Sequence, residues 1–577
     1  MSDEMAVRPL RVRHWKLSAL AAGVAALVGA VPVAHAIEID TGNPDVTVRW
    51  DNQVRYAVGV RGEKINDDFG RSPTYDETEY KFKRGDVMMN RFDLFSEADI
   101  VYKNMFGARV SGAAWYDDAY ANGRSEPNPA LTAAGIPSNY TNGQYSSTTK
   151  RFARGASGEI LDAFVFANTD IGNGQSAAGK LGKHTVYWGE TLFNSFHGIA
   201  YSQAPLDGNK ASSSPGIEAK EVFMPVNQVS GSYTFSPEWT VRGQYFLQWT
   251  PNRLPQGGTY FGSADMLWDG PNNMFLGPPI GAVPRTDSIE PTRNSGNNYG
   301  LNLRYSPSQL NGTNFGLYYR RFDETQPWAP VLSGRFISTP IGTQFVPNGY
   351  HLAYAKDTQM YAFSMGTVVG STSVGMDLSY RKDAALNSAA TFAAAGDPIG
   401  VEGARGDTWH LVTNAVYLLP SSSLWDSGTL IGELAYSYLD KVTKHPELFK
   451  GVGYSSCTTP TGLPGSKADG CATRDVLLAQ IGFTPQWLSV APSVDLSMPI
   501  SLTYGLHGNG ATLGGGNEGS WGYSIGLEAQ YKQKYYFKIQ WADQHADYYM
   551  TAAGPSSNGN AVQNNHGYLS MSFKTTF

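Results

Sequence analysis

Three side chains that could take part in hydrolysis lie close together in one segment of the sequence. Glu190, Ser195 and His197 supply the carboxylate, hydroxyl and imidazole groups used in nucleophilic catalysis. Closeness in the chain does not make a triad, and the G-x-S-x-G motif of many serine hydrolases is absent. The sequence also shows no phosphate-binding loop, metal-ligand cluster or basic nucleic-acid patch. We therefore predict that the protein is not an enzyme, needs no cofactor or metal and binds no nucleic acid.

The same segment has features of a plug inside a channel. Glu190 could point into a lumen beside an apolar wall formed by Trp188, or Trp188 could be interfacial while Glu190 binds loop backbone. Further on, "PGIEAKEVF" has proline at a possible first helical position. Residues 191–224 would then fold inward with a short helix, or form an external loop and helix. The candidate constriction residues are Trp188, Glu190, Glu218, Lys220 and Glu221.

The elements that would position this segment are β-strands. Apolar and polar residues alternate along segments bounded by turn residues, which is typical of strands with one apolar face. Only 16% of the residues are charged, whereas 12% are aromatic. We predict eighteen strands, at about 45–61, 88–103, 105–120, 160–171, 176–188, 225–236, 239–249, 297–307, 313–324, 359–370, 372–384, 407–420, 428–441, 475–488, 494–507, 520–533, 535–549 and 566–577.

The connections between these strands alternate in length throughout the chain. Those after even-numbered strands are short, and those after odd-numbered strands are long. A transmembrane β-barrel has this pattern, with short periplasmic turns and long external loops. We therefore predict one all-β domain over residues 37–577, a closed antiparallel transmembrane barrel of about 18 strands, within a range of 16–20.

Residues 1–36 have the features of a secretory signal peptide. Four Arg and Lys residues flank or precede the apolar residues 17–31, and Ala34-His35-Ala36 resembles a cleavage site. After Ile37 no run of 18 apolar residues follows, so we expect no spanning helix. Cleavage after Ala36 would send the mature chain to a bacterial outer membrane, in contact with its lipid and lipopolysaccharide.

The last strand runs to the end of the chain. Apolar residues at odd positions, including Phe573 and Phe577, alternate with polar ones. This strand must pair with the first, because lipid tolerates no unpaired backbone edge, and its terminal phenylalanine resembles the signal read by the barrel assembly machinery. The two cysteines, Cys457 and Cys471, are predicted to form a disulfide in an external loop of this exported protein.

Charges of both signs fall on the predicted lumen faces. An ion-selective porin more often displays a ring of one sign, so the mixed set favours internal ion pairs that support a plugged barrel. The candidates are Arg49, Arg55, Arg91, Asp93, Glu97, Asp99, Arg109, Arg242, Arg304, Asp377, Arg381, Glu433, Glu528 and Lys538.

Two long connections are unusually apolar for external segments, at 260–280 and 328–347. Contiguous exposed apolar surface marks binding sites or covered interfaces. These side chains could receive a hydrophobic ligand, or pack loop on loop and close the outer mouth. They are Tyr260, Phe261, Leu267, Trp268, Phe275, Trp328, Phe336 and Phe345.

Several sequence blocks are also familiar. They include "NRFDLFSEADIVYKNMFGARVSGAAWYDDAY" from residue 90, "LGKHTVYWGETLF" from 181, "APLD" from 204, "PGIEAKEVFMPV" from 215 and "PNRLPQGGTYF" from 251. In their order and spacing the chain resembles the domain of unknown function 1302 family of proteobacterial outer-membrane proteins, although His184 stands where glutamine is expected. The resemblance implies partners, because such proteins are often encoded beside an MMPL-type inner-membrane transporter and a second periplasmic family. Many occur near genes for degrading steroids, terpenoids or other hydrophobic compounds.

Three functions remain open from the sequence. Apolar loops, abundant aromatic residues and the resemblance favour a passive outer-membrane conduit for hydrophobic small molecules or lipids, acting with periplasmic and inner-membrane partners. The alternative is a porin-like channel for polar solutes, because an 18-strand barrel is wide enough for an aqueous path. An outer-membrane hydrolase is a distant third.

Overall fold

Alternating strands and turns close into a barrel in the computed structural model of the chain. The structure describes residues 37–577 except 278–279, 287–297, 311, 341 and 395–401. The predicted signal peptide, 1–36, lies outside the described residues. Between β4 and β5, defined below, Asn173 and Gly174 have φ of 54° and 75°. A two-residue hairpin turn of type I′ requires positive φ at both positions, which Asn and Gly tolerate best.

Within the described residues, eighteen antiparallel strands form the barrel wall, which confirms the predicted number. The hydrogen-bonded sheet has 20 segments, because β15 is interrupted at Pro499 and the short strand Ile37–Ile39 adds to β1. The strands are β1 Val46–Arg61, β2 Val87–Tyr102, β3 Phe106–Asp117, β4 Gly155–Gly172, β5 Gln175–His184, β6 Val226–Ser236, β7 Trp239–Phe246, β8 Tyr299–Tyr305, β9 Asn314–Phe322, β10 Thr358–Val369, β11 Thr372–Ala385, β12 Arg405–Leu419, β13 Ser427–Lys444, β14 Asp475–Ala491, β15 Val494–Ser497 with Ile500–His507, β16 Trp521–Tyr531, β17 Tyr535–His545 and β18 Tyr568–Thr576.

The last strand closes the barrel on the first. β18 pairs with β1 from Tyr568↔Arg61 to Thr576↔Gln53. Phe577 and Asn52 then exchange two backbone hydrogen bonds, of 2.7 and 2.9 Å. The chain is therefore paired to its final residue, so neither terminal strand leaves a free edge.

The connections keep the predicted alternation. The short ones run from two residues, at 173–174, to eight, at 306–313, while the long ones lie at 62–86, 118–154, 185–225, 247–298, 323–357, 386–404, 445–474, 508–520 and 546–567. In barrels of this kind the long connections start from the external end of the wall. The disulfide between Cys457 and Cys471 lies in the connection after β13, with a Cα–Cα distance of 5.6 Å.

The two faces of the wall differ in polarity. On β11, Asp377, Ser379 and Arg381 are buried and point inward, whereas the residues between them face outward. Apolar side chains such as Val165 and Leu181 remain 54% and 52% exposed on the outer face. A polar interior and an apolar exterior are the arrangement of a membrane-spanning barrel of the outer-membrane type.

The connections contain short elements. Helices are Asp67–Gly70, Asp76–Tyr80, Pro129–Ala133, Ser147–Thr149 with the π-turn Lys150–Arg154, Gly208–Ser213 and Ala219–Val222; 3-10 turns are Asp118–Tyr120, Thr141–Gly143, Pro446–Leu448, Lys467–Asp469 and Ala561–Gln563. Added strands are Asn273–Phe275 with Ala282–Pro284, Pro327–Thr339 with Gly342–Tyr354 and Thr391–Ala394, and Tyr548–Thr551 with Gly554–Ser557. In the part of the chain that the structure describes, every helix is too short or too polar to span a membrane.

Candidate functional site

The connection 185–225, which we call the inner segment, lies inside the barrel. It leaves β5 at His184 and returns at Val226, its register partner on β6. Its backbone forms hydrogen bonds with inward-facing side chains of β9, β11, β12 and β13. Its side chains form hydrogen bonds with residues of β1, β2, β4 and β18. A predicted detail was wrong, since β5 ends at His184 rather than 188 and the Trp-Gly-Glu string belongs to the inner segment.

Two carboxylates of the wall hold the first half of the inner segment. Asp377 accepts hydrogen bonds from the Glu190 N–H at 2.8 Å and the Thr191 hydroxyl at 2.7 Å. Glu433 accepts from three consecutive N–H groups, those of 192–194, at 2.7, 3.1 and 2.6 Å. Both carboxylates are buried. Because each charge receives several N–H donors, the backbone is fixed to the wall by charge-assisted bonds.

Gly189 permits this close approach. Its φ is +94°, and a Cβ placed there would lie 2.4 Å from the Asp377 Oδ2 atom. Any side chain would therefore be strained and would push Asp377 away from its donors. The Glu190 side chain lies against the wall at Gly366 and Gly375, where a Cβ would come within 3.1 and 2.9 Å of it.

Trp188 forms the apolar side of the inner segment. It is 4% exposed and packs with Ile199 and Tyr201 of the segment and with Tyr318 of β9. Its backbone N–H donates to the Gln203 Oε1 atom at 2.8 Å. The indole is therefore inside the barrel and not at a membrane interface.

Two arginines on the wall bind the segment's carbonyl groups. Arg320 on β9 donates to the Ile199 and Tyr201 carbonyls, both at 2.7 Å. Arg381 on β11 donates to the Gly198 carbonyl at 3.1 Å. Both guanidinium groups are buried. Arg320 was missed from the sequence, because it stands beside Arg321 and only the parity of β9 decides which of the two faces inward.

The histidine of the inner segment is not available to Ser195. The His197 Nδ1 atom lies 2.9 Å from the His410 Nδ1 atom, and its Nε2 atom lies 3.1 Å from the Gly515 carbonyl oxygen. Both rings are buried. Among the described residues, Glu190, Ser195 and His197 are thus not linked by hydrogen bonds into a relay.

The second half of the inner segment is held by ion pairs. Arg55 on β1 donates to both Glu221 carboxylate oxygens, at 3.0 and 3.1 Å, and all these atoms are buried. Lys210 pairs with Glu159 of β4. The short helix forms at Ala219–Val222, so Pro215 precedes it and is not its first residue. The Glu218 Oε1 atom lies 3.5 Å from the Lys574 ammonium, and the Lys220 ammonium lies 4.6 Å from the centre of the Phe95 ring.

The remaining predicted lumen charges lie in several groups. Pairs on the wall join Arg91 to Asp93 and Arg109 to Asp99 and Glu97, at 2.9, 2.7 and 3.3 Å. Glu528 and Lys538 are register partners on β16 and β17. Arg49 is exposed near the short-turn end of β1. Arg242 and Arg304 lie on neighbouring strands, β7 and β8.

A cavity of about 300 Å³ separates the inner segment from part of the wall. Tyr187 and Trp188 line it on one side, and Lys180, Ser230 and Arg242 line it on the other. The lining of the open space beside the segment is therefore partly polar and includes basic side chains.

Some of the apolar loop candidates pack against other loop residues, and the others line a cavity. Tyr260 is completely buried, and its hydroxyl donates to the His566 carbonyl at 2.8 Å, so this residue packs loop on loop, the second of the two alternatives. Phe261 packs on Tyr260, and Phe275 lies in a small hairpin. Phe336 and Phe345 contact each other at a hairpin end, with ring centroids 5.1 Å apart. Leu267, Trp268 and Trp328 line a second cavity, of about 530 Å³, among the external connections.

Comparison with known proteins assigns a family. The sequence model described as a protein of unknown function (DUF1302) matches residues 17–577, nearly the whole chain. The chain belongs to this family. In this chain, two of the sequence blocks that suggested membership are in contact, because Asp207 of "APLD" forms an ion pair with Arg253 of "PNRLPQGG". A sequence search of characterised proteins gives no match.

Solved structures with a similar fold are bacterial outer-membrane barrels. OccAB3 of Acinetobacter baumannii has a TM-score of 0.42 and 10% identity, over 92% of this chain and 99% of that one. OccK1 of Pseudomonas aeruginosa has a TM-score of 0.40 and 8% identity, over 92% and 98%. OmpT of Vibrio cholerae has a TM-score of 0.34 and 8% identity, over 94% and 100%. The likeness is one of barrel architecture alone.

Proposed function

We propose that this protein is a passive, porin-like channel for small water-soluble solutes in which the inner segment forms the constriction. The observation that carries the proposal is the polarity of the interior. Asp377, Arg381 and Glu433 line the wall and hold the segment. A polar lumen suits solutes that keep part of their hydration, whereas a lipid would have to pass buried charges.

This proposal replaces the hydrophobic conduit as the leading function. The apolar residues that favoured a conduit are partly used in packing, as Tyr260 is. The conduit keeps one supporting observation, which is the external cavity lined by Leu267, Trp268 and Trp328. A passive channel needs no energy source, cofactor or catalytic group. A periplasmic partner would act only in carrying the solute away.

The test is permeation through the purified, reconstituted protein. Proteoliposomes would be swollen in arabinose, serine or benzoate, and the transfer of bilayer-dissolved cholesterol between vesicles would be measured in parallel. We expect solute-dependent swelling above the rate of protein-free vesicles and no acceleration of cholesterol transfer. Faster cholesterol transfer without swelling would reject the channel and favour the conduit.

A further inference from the structure

We infer that the external cavity of about 530 Å³ is a capture site for an organic anion with a rigid apolar body. The inference rests on the proposed function, since it names the class of solute that the channel would admit first. Its volume is within the range of small-molecule sites, about 300–1,000 Å³. Its lining combines apolar walls with one lysine, Lys450.

The apolar walls come from separate external connections. Trp268 and Leu267 belong to the connection after β7, and Trp328 to the connection after β9. Trp268 has φ of +68°, a left-handed backbone conformation that bulky residues seldom adopt. Such strained positions are concentrated at functional sites. Trp328 is held in place by a hydrogen bond from its indole N–H to the Ala404 carbonyl at 3.2 Å. Trp268 packs against a cluster that includes Leu352 and Tyr354, so contacts hold both indoles as surfaces for a flat apolar body.

Lys450 supplies the charge. It lies in the connection after β13, lines the cavity, and makes no ion pair or side-chain hydrogen bond within the described residues. Burial lowers the pKa of its ammonium, and the charge of Asp469 partly offsets that effect. A half-buried cation without a partner gains most from an anionic group that enters the cavity.

Asp469 also lines the cavity and its charge acts on Lys450, but within the described residues the two make no ion pair. Its Oδ2 atom accepts from the Ser466 N–H and hydroxyl at 2.9 and 3.0 Å, and its Oδ1 atom accepts from the hydroxyls of Ser556 and Tyr549. Burial would raise the pKa of Asp469, but these hydrogen bonds outweigh it and lower that pKa. The carboxylate is therefore already satisfied by donors from its own connection and from the connection after β17.

The cavity adjoins the constriction. Its wall includes Gly514, Gly515 and Gly516 of the connection after β15. The Gly515 carbonyl is the partner of the His197 Nε2 atom, and a Cβ at Gly514 would lie 2.9 Å from the Phe196 ring. A solute held in the cavity is thus one loop away from the inner segment, at the entrance of the path.

The test is calorimetric binding to the full-length barrel in detergent, with 2-naphthoate as probe and 2-naphthalenemethanol as its uncharged analogue. We expect the wild-type protein to bind 2-naphthoate about tenfold or more tightly than the alcohol, because this is the difference in affinity that one charge-assisted hydrogen bond produces. Lys450→Met should lose this preference, and Lys450→Arg should keep it. Lys444→Met, at an exposed lysine near the end of β13, is the matched control and should bind like wild type.

Equal binding of the acid and the alcohol to wild type would overturn the inference, and so would unchanged 2-naphthoate affinity in Lys450→Met. Binding of maltose in place of both would identify a sugar site and also overturn it. The wild-type comparison of acid and alcohol decides the matter if Lys450→Met does not fold. Conductance of the same preparations separates the two proposals. Loss of binding with normal conductance leaves the channel intact, whereas binding without any conductance rejects the channel alone.

Discussion

Replacing Glu433 by glutamine should loosen the constriction. The Glu433 carboxylate accepts from the N–H groups of 192–194, at 2.7 to 3.1 Å. Hydrogen bonds to a charged group contribute about 1.5–3 kcal/mol each, and glutamine keeps one acceptor oxygen. We expect a loss of about 3 kcal/mol in the local free energy that holds the segment, or about a hundredfold in its released fraction.

The assay is single-channel recording in planar bilayers. Glu433→Gln should open at least tenfold more often than wild type, while the barrel keeps its resistance to denaturation. Glu528→Gln is the matched control, because Glu528 is a lumen carboxylate that faces Lys538 on the neighbouring strand and, among the described residues, makes no hydrogen bond or ion pair with the inner segment. The reasoning would be refuted if the Glu433 variant gated like wild type, or if both variants opened equally often.

Three further predictions follow from individual contacts. Gly189→Ala should also raise the opening frequency, because its Cβ would collide with Asp377; unchanged recordings would contradict the close approach. Glu221→Ala should leave the buried Arg55 with only its longer ion pair, to Asp93 at 3.8 Å, at a cost of about 3 kcal/mol in urea unfolding, and Arg55→Met with Glu221→Leu should recover most of it; a single variant as stable as wild type would dismiss the Arg55–Glu221 pair as an anchor. Burial raises the pKa of Glu77, in an external connection, from 4.5 to about 7. The contribution of Glu77 to the stability of the folded protein is therefore complete below a pH of about 4.5, and it is lost as the pH rises through about 7. Limited proteolysis of the external connections should be faster at pH 8.5 than at pH 5.5. Glu77→Gln should weaken that dependence without abolishing it, because burial also raises the pKa of the neighbouring Asp76 and Asp265; equal rates in wild type would contradict the shift.

The sequence predicts the wall of this protein well and its interior only in part. Strand number and connection parity follow from a period of two and from local turn residues such as Asn173 and Gly174. The same alternation places Asp377 and Glu433 on the lumen face. Their partners are backbone N–H groups of a distant segment, and no residue type marks a backbone donor.

The apolar loops show a second limit of sequence reasoning. Tyr260 and Trp268 belong to one apolar stretch, and composition treats them alike. In the structure Tyr260 fills a loop core, whereas Trp268 lines a cavity. Only tertiary packing separates these roles, because burial in a loop depends on which other connections meet there.

The most direct test of the central claim is to remove the inner segment and measure conductance. His184 and Val226 are register partners on adjacent strands, so a four-residue Gly-Ser turn can replace residues 185–225 without breaking the wall. If the segment is the constriction, the shortened barrel should fold and show a steady conductance at least tenfold above that of wild type, with faster swelling in arabinose. A folded, shortened barrel that conducts no better than wild type would contradict the account.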